Sequence, residues 1–145
     1  MDNEINFINI VNEANDFMYV AFKCVQTGKE SIGKKIYGTQ FAVNGLFAIE
    51  LYFKALMILD GNTALPQQHS LQLLYNNLSK IRKSNLNKKI PYLKEFVDNN
   101  NESYTKWRFT FSYNTLSISI EETKNCLIDM KNYCMNLLEE YDLNG

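Results

Sequence analysis

Residues 40–79, QFAVNGLFAIELYFKALMILDGNTALPQQHSLQLLYNNLS, decide the fold of this chain. The first half of this stretch is apolar on almost every side, and it is interrupted only by Gln40, Asn44, Glu50 and Lys54. A helix that is apolar all round belongs in the middle of a bundle, so we expect Ile49, Phe53 and Leu56 to be fully buried. Gly61 ends this helix, and after a short loop His69 stands just before a second amphipathic helix.

Hydrophobic spacing predicts further helices on both sides of the central one, which covers roughly residues 40–60. A first helix is predicted over residues 5–25, with the apolar face Ile8, Val11, Ala14, Met18, Ala21, Phe22 and Val25. Residues 26–38 contain three glycines and several lysines, which is typical of a flexible connection. A third helix is predicted over residues 70–82, with the seam Leu71, Leu74, Leu78 and Ile81.

The C-terminal half is less regular until its last helix. A short fourth helix is predicted near residues 86–97, ended by the polar run at 98–101. Residues 104–120 favour strand by propensity. Because no second strand is available to pair with them, we expect an ordered loop with one short extended or helical piece. Ser119 to Glu122 is an S-x-x-E capping box that opens the last helix.

These patterns predict an all-α fold, an antiparallel bundle of four to five helices in a single domain spanning residues 1–145. The number of cysteines is odd, and all three lie within helical patterns: Cys24, Cys126 and Cys134. This indicates buried, reduced thiols in a cytoplasmic protein. With one histidine and no close cysteine pair, we predict no metal site and no cofactor. Charges interrupt the longest apolar run and the N-terminus is acidic, so neither a membrane helix nor a secretory signal is predicted.

Charge is segregated in the segment from residue 80 to residue 108. Eight basic residues lie there against three acidic ones, with Tyr92, Tyr104, Trp107 and Phe109 interleaved. Basic side chains with aromatic rings suit single-stranded nucleic acid, whose phosphates need neutralising and whose bases need stacking partners. The alternative is a solvated lysine-rich face with its aromatic residues packed inward. The candidate nucleic-acid-binding residues are Lys80, Arg82, Lys83, Lys88, Lys89 and Lys106.

The order of these features resembles the HEPN domain family (higher eukaryotes and prokaryotes nucleotide-binding). The matching motifs are E-L-x-x-K-A-L from Glu50 to Leu56, the Gly-containing loop, and H-x-L from His69 to Leu71 before a second helix. The resemblance implies a HEPN-like bundle in which His69 opens a helix, and it implies a homodimer. Glu50 and Lys54 either line a ligand pocket or form an ion pair, on the helix surface or between helices. His69 is a separate candidate ligand-binding residue, and its alternative is a structural role at the start of its helix.

In the nuclease branch of that family, an R-x(4–6)-H motif supplies an arginine for phosphate and a histidine for acid–base cleavage of RNA. Here Arg108 is present, but Tyr113, Asn114 or Thr115 stands at the position of the histidine. A tyrosine or asparagine can hydrogen-bond a ligand, yet neither titrates near neutral pH. The resemblance therefore implies Arg108, Tyr113 and Asn114 as ligand-binding residues and implies no catalytic residue.

Two function classes follow. The first is a non-catalytic HEPN-like module that binds RNA, a nucleotide or a protein partner, in a defence or toxin–antitoxin setting with an antitoxin-like partner. The second is a HEPN ribonuclease toxin with a divergent active site around Arg108. A protein-interaction bundle without any ligand is a third alternative.

Overall fold

A computed structural model describes residues 2–30, 34–62, 69–110 and 119–144, and within these segments the chain forms helices and no strand. The predicted all-α class is confirmed. The helices are α1 (Asp2–Glu30), α2 (Lys34–Leu59), α3 (Leu71–Asn77), α4 (Lys80–Lys89), α5 (Leu93–Thr110) and α6 (Ile120–Asn144).

Helices α1 and α2 form an antiparallel hairpin that is the largest helix pair of the fold. The rings of Phe17 and Phe47 meet edge to face with centroids 4.6 Å apart. Two residues earlier in α1 and five residues later in α2, the Tyr52 hydroxyl donates to Asn15 Oδ1. Residue numbers therefore fall along α1 as they rise along α2, which makes the pair antiparallel.

Helix α2 is the centre of the molecule, since it packs against α1, α3, α5 and α6. Ile49, Phe53 and Leu56 have no exposed surface, which confirms the burial predicted for them. Helix α6 approaches α2 closely at Gly45, where an added methyl group would lie 3.2 Å from Leu127 Cδ1. Gly45 therefore permits the close packing of these two helices.

Gly61 ends α2, as its sequence predicts. Its φ of +103° lies in the region that glycine adopts without the steric cost of a Cβ atom. The Gly61 amide donates to the Ile58 carbonyl, and the Asn62 amide donates to the Met57 carbonyl, each at 3.0 Å. These two bonds form a Schellman motif that satisfies the last carbonyl groups of the helix.

The predicted flexible connection at residues 26–38 is wrong for most of its length. Helix α1 continues to Glu30 and α2 already begins at Lys34, while residues 31–33 lie outside the described part of the chain. Gly28 and Gly38 therefore lie inside helices. A glycine costs a helix about 1 kcal/mol, which good helix formers and the packing of long hairpin arms outweigh.

The single third helix predicted over residues 70–82 is divided into α3 and α4. Leu78 has an extended backbone, and Ser79 starts α4 by accepting the Arg82 amide on its hydroxyl at 3.1 Å. Because the break resets the helical period, Ile81 leaves the predicted seam and is 84% exposed. Leu71, Leu74 and Leu78 are buried as expected.

The polar run at 98–101 does not end a helix, contrary to the prediction. Helix α5 passes through it to Thr110, so the start of the expected loop at 104–120 is helical, while residues 111–118 lie outside the described segments. The polar side chains find partners one turn back: the Asn100 amide donates to the Phe96 carbonyl at 2.8 Å, and Lys94 pairs with Asp98 at 3.0 Å. Such pairs support a helix that propensity alone would end.

The buried face of α1 is shifted by one residue from the predicted register at its start. Phe7 is fully buried, whereas Ile8 is 37% exposed. The spacing continues through Val11, Ala14, Met18 and Ala21, all of which are buried. Residues 7 and 8 are both apolar, so the sequence pattern did not distinguish them.

The last helix begins at Ile120, directly after the capping residue Ser119, as the capping box predicts. The Ser119 hydroxyl accepts the Glu122 amide at 3.2 Å. Cys126 and Cys134 lie buried along α6 as free thiols, and Cys24 is half-buried. Burial raises the pKa of the Cys134 thiol to about 12 and raises that of Cys126 as well, so both are inert apolar side chains at neutral pH.

Residues Gln40–Leu59 are long and apolar enough to cross a membrane by length and composition. In this fold, 67% of the most apolar window of that segment is buried inside the molecule. That burial is the pattern of the core helix of a bundle.

Two isoleucines provide a matched test of this packing. Ile49→Ala removes a fully buried side chain from α2 and is expected to lower the free energy of unfolding by about 2–5 kcal/mol. Ile81→Ala removes the same atoms from an exposed site and is expected to leave it nearly unchanged. Denaturant unfolding followed by circular dichroism measures both. Equal losses in the two variants would contradict the central position of α2.

Candidate functional sites

A buried carboxylate lies at the centre of the first candidate site. Glu50, in the middle of α2, is only 1% exposed. Its Oε2 atom lies 2.9 Å from Nζ of Lys54, one turn later in the same helix. The Lys54 side chain is itself 13% exposed, so this is a largely desolvated pair rather than a surface one.

Two further side chains reach the same carboxylate from other parts of the chain. The ring atom Nδ1 of His69 lies 3.0 Å from Oε1 of Glu50 and 3.1 Å from Oε2. The hydroxyl of Tyr104, a fully buried residue of α5, donates to Oε1. Glu50 therefore joins the central helix to the entrance of α3 and to α5. We call Glu50, Lys54, His69 and Tyr104 the Glu50 cluster.

The geometry of the Glu50 cluster defines what it can do chemically. Burying a carboxylate is unfavourable unless charge and hydrogen bonds compensate. Here Lys54 supplies the opposite charge, and each carboxylate oxygen has two polar contacts. All of these contacts come from side chains of the same chain, so the carboxylate has a structural role. It is well placed to fix the ring orientation of His69 through Nδ1.

The sequence indicated three members of this cluster separately and missed the fourth. Glu50, Lys54 and His69 were predicted ligand-binding residues, and the fold brings them together. Tyr104 was predicted only as an aromatic residue of a basic surface. It lies 54 positions from Glu50, and no local spacing signals a contact over that separation.

The other predicted ligand-binding residues adjoin this cluster only through the backbone. Arg108 belongs to α5 four residues after Tyr104, so its backbone lies one turn further along the same face of the helix. The Arg108 side chain, Tyr113 and Asn114 lie outside the described part of the chain.

A basic groove forms the second candidate site, where α3, α4 and the start of α5 meet. It has a volume of about 550 Å³, and no acidic residue is among those found to line it. Four of the lining residues are lysines: Lys80, Lys83, Lys88 and Lys94. The other lining residues are Tyr75, Asn76, Ser84 and Asn87. We call this the lysine groove.

The lysines of this groove are only partly engaged by protein groups. Lys83 Nζ donates to the Asn76 carbonyl at 3.1 Å, and Lys94 pairs with Asp98. Lys80 and Lys88 are exposed. The two lie eight residues apart in α4, a separation of about 12 Å along the helix axis.

Arg82, another predicted nucleic-acid-binding residue, lies away from the lysine groove. Its Nε and Nη2 atoms bind both carboxylate oxygens of Asp60 at 3.0 and 2.7 Å, and Nη1 donates to the Tyr133 hydroxyl at 2.8 Å. The bond with Asp60 is the main cause that raises the pKa of this guanidinium above its usual value. Arg82 thus connects α4 to the end of α2 and to α6.

The remaining predicted basic residues are also separate from the lysine groove. Lys89 lines a different groove, between α4 and α6. Lys106 pairs with Glu102 at 3.2 Å on the exposed side of α5. Three of the six predicted nucleic-acid-binding residues therefore lie together in the lysine groove, and Lys94 joins them.

No protein-family model matches the chain, and no curated protein sequence or solved structure matches it. Across the described segments, no group of three or more His, Cys, Asp or Glu side chains is placed to hold a metal ion.

Removing the buried carboxylate tests the Glu50 cluster. Glu50→Ala leaves Lys54 without its ion-pair partner at a largely desolvated site, and we expect a loss of about 3–5 kcal/mol in the free energy of unfolding. The control is Glu102→Ala, which removes the acid of an exposed pair in α5 and is expected to leave the unfolding midpoint essentially unchanged. Denaturant titration measures both, and similar losses would mean that Glu50 is not a structural centre.

Proposed function

We propose that this chain is a HEPN-like helical module that binds RNA through its phosphates and does not cleave it. The observation that supports RNA binding is the lysine groove, with four lysines and no acidic residue among its lining. The sequence leaves a nucleotide or a protein partner as alternatives to RNA. Either of these would present fewer or less regularly spaced negative charges to the four lysines than an RNA strand does.

The charge distribution supports an extended anionic ligand. The whole chain carries a net charge of −1, yet α4 has five basic residues and no acidic one. Lys80 and Lys88 lie at opposite ends of α4, about 12 Å apart along the helix axis, so one ligand that carries several phosphates can contact both. A polymer with phosphates at regular intervals can engage both lysines, and each contact releases counterions from the nucleic acid.

The groove offers phosphate contacts rather than a stacking platform for bases. Tyr75 is the aromatic residue found in its lining, and its side chain is buried. The Tyr75 ring packs edge to face against Phe53, with centroids 6.1 Å apart, and its hydroxyl donates to Asn87. Because this ring is committed to the core, binding in the lysine groove itself should not depend on base identity.

Two observations favour binding without cleavage. Both oxygens of the Glu50 carboxylate are occupied by contacts with Lys54, His69 and Tyr104 of the same chain. In sequence, Tyr113 and Asn114 stand at the positions where the nuclease branch of the HEPN family has a histidine. Neither of these side chains exchanges a proton readily near pH 7.

The RNA proposal predicts a specific effect of salt. We expect the double variant Lys80→Ala/Lys88→Ala to bind a single-stranded RNA more weakly than the parent protein. The slope of the logarithm of its binding constant against the logarithm of the salt concentration should fall by about 1.4, because each phosphate contact contributes about 0.7. Lys23→Ala with Lys131→Ala removes the same charge from α1 and α6 and should leave the slope unchanged. Fluorescence anisotropy across a salt series measures both. Equal slopes in the two double variants would exclude the lysine groove as the binding site.

A ribonuclease is the second candidate function, and the contact between His69 and Glu50 is the observation that favours it. A carboxylate on Nδ1 fixes the tautomer and orientation of a histidine in many acid–base sites. Nε2 is then the atom that would exchange a proton with a substrate. Arg108, one turn beyond Tyr104 in α5, would supply the phosphate contact of such a divergent site.

Cleavage of generic RNA in the presence of EDTA separates the two candidates. We expect no efficient cleavage by the parent protein, because Tyr113 or Asn114 stands where the nuclease branch of the HEPN family has its histidine. Metal-free cleavage that is lost in both His69→Ala and Arg108→Ala, with both variants folded by circular dichroism, would establish the ribonuclease. Cleavage that persists in both variants would indicate a contaminating nuclease.

The homodimer, the antitoxin-like protein partner, the toxin–antitoxin context and the cytoplasmic location also remain proposals. The homodimer rests on the family resemblance and on the aromatic residues at positions 104–113. Of these, Tyr104 is buried within its own chain and donates to Glu50, so it is not available to a dimer interface.

A further inference from the structure

A second groove lies on the other side of α4, between this helix and α6. Two adjoining cavities of about 470 and 280 Å³ share Asn85, Leu137 and Glu140, and together they form one continuous depression. We call it the amide groove. Helix α4 therefore has the lysine groove on one side and the amide groove on the other.

The wall of the amide groove on α6 carries a polar stripe. Asp129, Asn132, Asn136 and Glu140 follow one another at helical spacing along the same face. Asn85 faces them from α4, where its Oδ1 atom accepts the Tyr133 hydroxyl and its amide nitrogen keeps donor capacity. The Tyr92 hydroxyl already donates to Oδ2 of Asp129, so the carboxylate acceptors left in the groove are Oδ1 of Asp129 and the Glu140 carboxylate. The groove thus offers amide donors and acceptors together with carboxylate acceptors.

The floor of the groove is apolar. Ile90 and Tyr133 are buried there, and the partly buried Leu137 extends the same surface. An apolar floor with polar walls matches a flat heterocycle, which has apolar faces and hydrogen-bonding edges. The larger cavity, at about 470 Å³, lies within the range of small-ligand pockets.

The charges around the groove disfavour a phosphate inside it. Asp129 and Glu140 line the larger cavity, against Lys89 as its basic residue. In the smaller cavity, Arg82 is neutralised by its two bonds to Asp60. A neutral ligand fits this surrounding better than an anion, and one with an exposed amino group can donate to the carboxylates.

We propose that the amide groove is a nucleobase site that selects bases with an exocyclic amino group, adenine and cytosine, over uracil and hypoxanthine. Asparagine amides pair with the amino and ring-nitrogen atoms of adenine, and carboxylates accept from the amino group of cytosine. Uracil and hypoxanthine present a carbonyl oxygen at the corresponding position, which a carboxylate repels.

The wider role of this site rests on the proposed function. If RNA phosphates lie on the lysines of α4, a base of the same strand can turn across the helix into the amide groove. The lysine groove would then supply affinity that does not depend on sequence, and the amide groove would supply base preference.

Free nucleosides test the amide groove without any phosphate. Adenosine is compared with inosine, and cytidine with uridine, by NMR titration of the ¹⁵N-labelled protein. We expect adenosine and cytidine to shift the side-chain amide signals of Asn132 and Asn136 and to bind about tenfold more tightly than their partners. No shift at millimolar nucleoside, or equal binding within each pair, would overturn the proposal.

Substitutions in α6 show whether the base preference arises in the amide groove. Asn132→Ala and Asn136→Ala change exposed residues and should each abolish the preference while the protein stays folded. Asn125→Ala changes an exposed asparagine of the same helix outside this groove and should keep the preference. A preference that survives in Asn132→Ala and Asn136→Ala would place the nucleoside elsewhere and overturn the proposal.

The nucleoside result is separate from the RNA result. Adenosine binding that persists in Lys80→Ala with Lys88→Ala, in a protein that binds no RNA, would support the amide groove and contradict the proposed function. RNA binding through the lysine groove without any base or nucleoside preference would support the proposed function and contradict the amide groove as a nucleobase site.

Discussion

The buried charge of Glu50 constrains the rest of this structure. Helix α2 is the centre of the bundle, and a carboxylate in its middle is tolerated only when other groups compensate it. Lys54 compensates the charge from within the helix, while His69 and Tyr104 complete the hydrogen bonds from the entrance of α3 and from α5. Folding that aligns α3 and α5 on α2 therefore also completes the Glu50 cluster, so a polar group helps to select one arrangement of an otherwise apolar core.

The proposed binding surfaces lie on a different part of the molecule from this core. Helix α4 is short, and among its ten residues Leu86 is the buried one. Ser79 caps its start, and Arg82 fixes it to Asp60 and Tyr133. Because so few side chains of α4 face inward, its lysines and Asn85 are left for the two grooves on either side of it.

The all-α class and the position of α2 were predictable from the sequence, because burial in α2 and the capping signals at Gly61 and Ser119 are local patterns. The division of the described segments into six helices was not predicted. The break at Ser79 was not recognised, since Leu78 and Ile81 continue the helical spacing on both sides of it. The contacts of Glu50 with His69 and Tyr104 join residues 19 and 54 positions away, which no periodicity encodes. The same limit applied to Arg82: its charge was visible in the sequence, but its ion pair with Asp60 depends on how α4 packs against the end of α2.

The ion pair between Arg82 and Asp60, which attaches α4 to the end of α2, makes the position of α4 sensitive to ionic strength. The guanidinium of Arg82 and the carboxylate of Asp60 are partly exposed, so dissolved ions weaken their attraction as they weaken the attraction between lysines and phosphates. Raising the ionic strength would then act twice on an RNA complex, once on the contacts with the ligand and once on the seating of the helix that presents them.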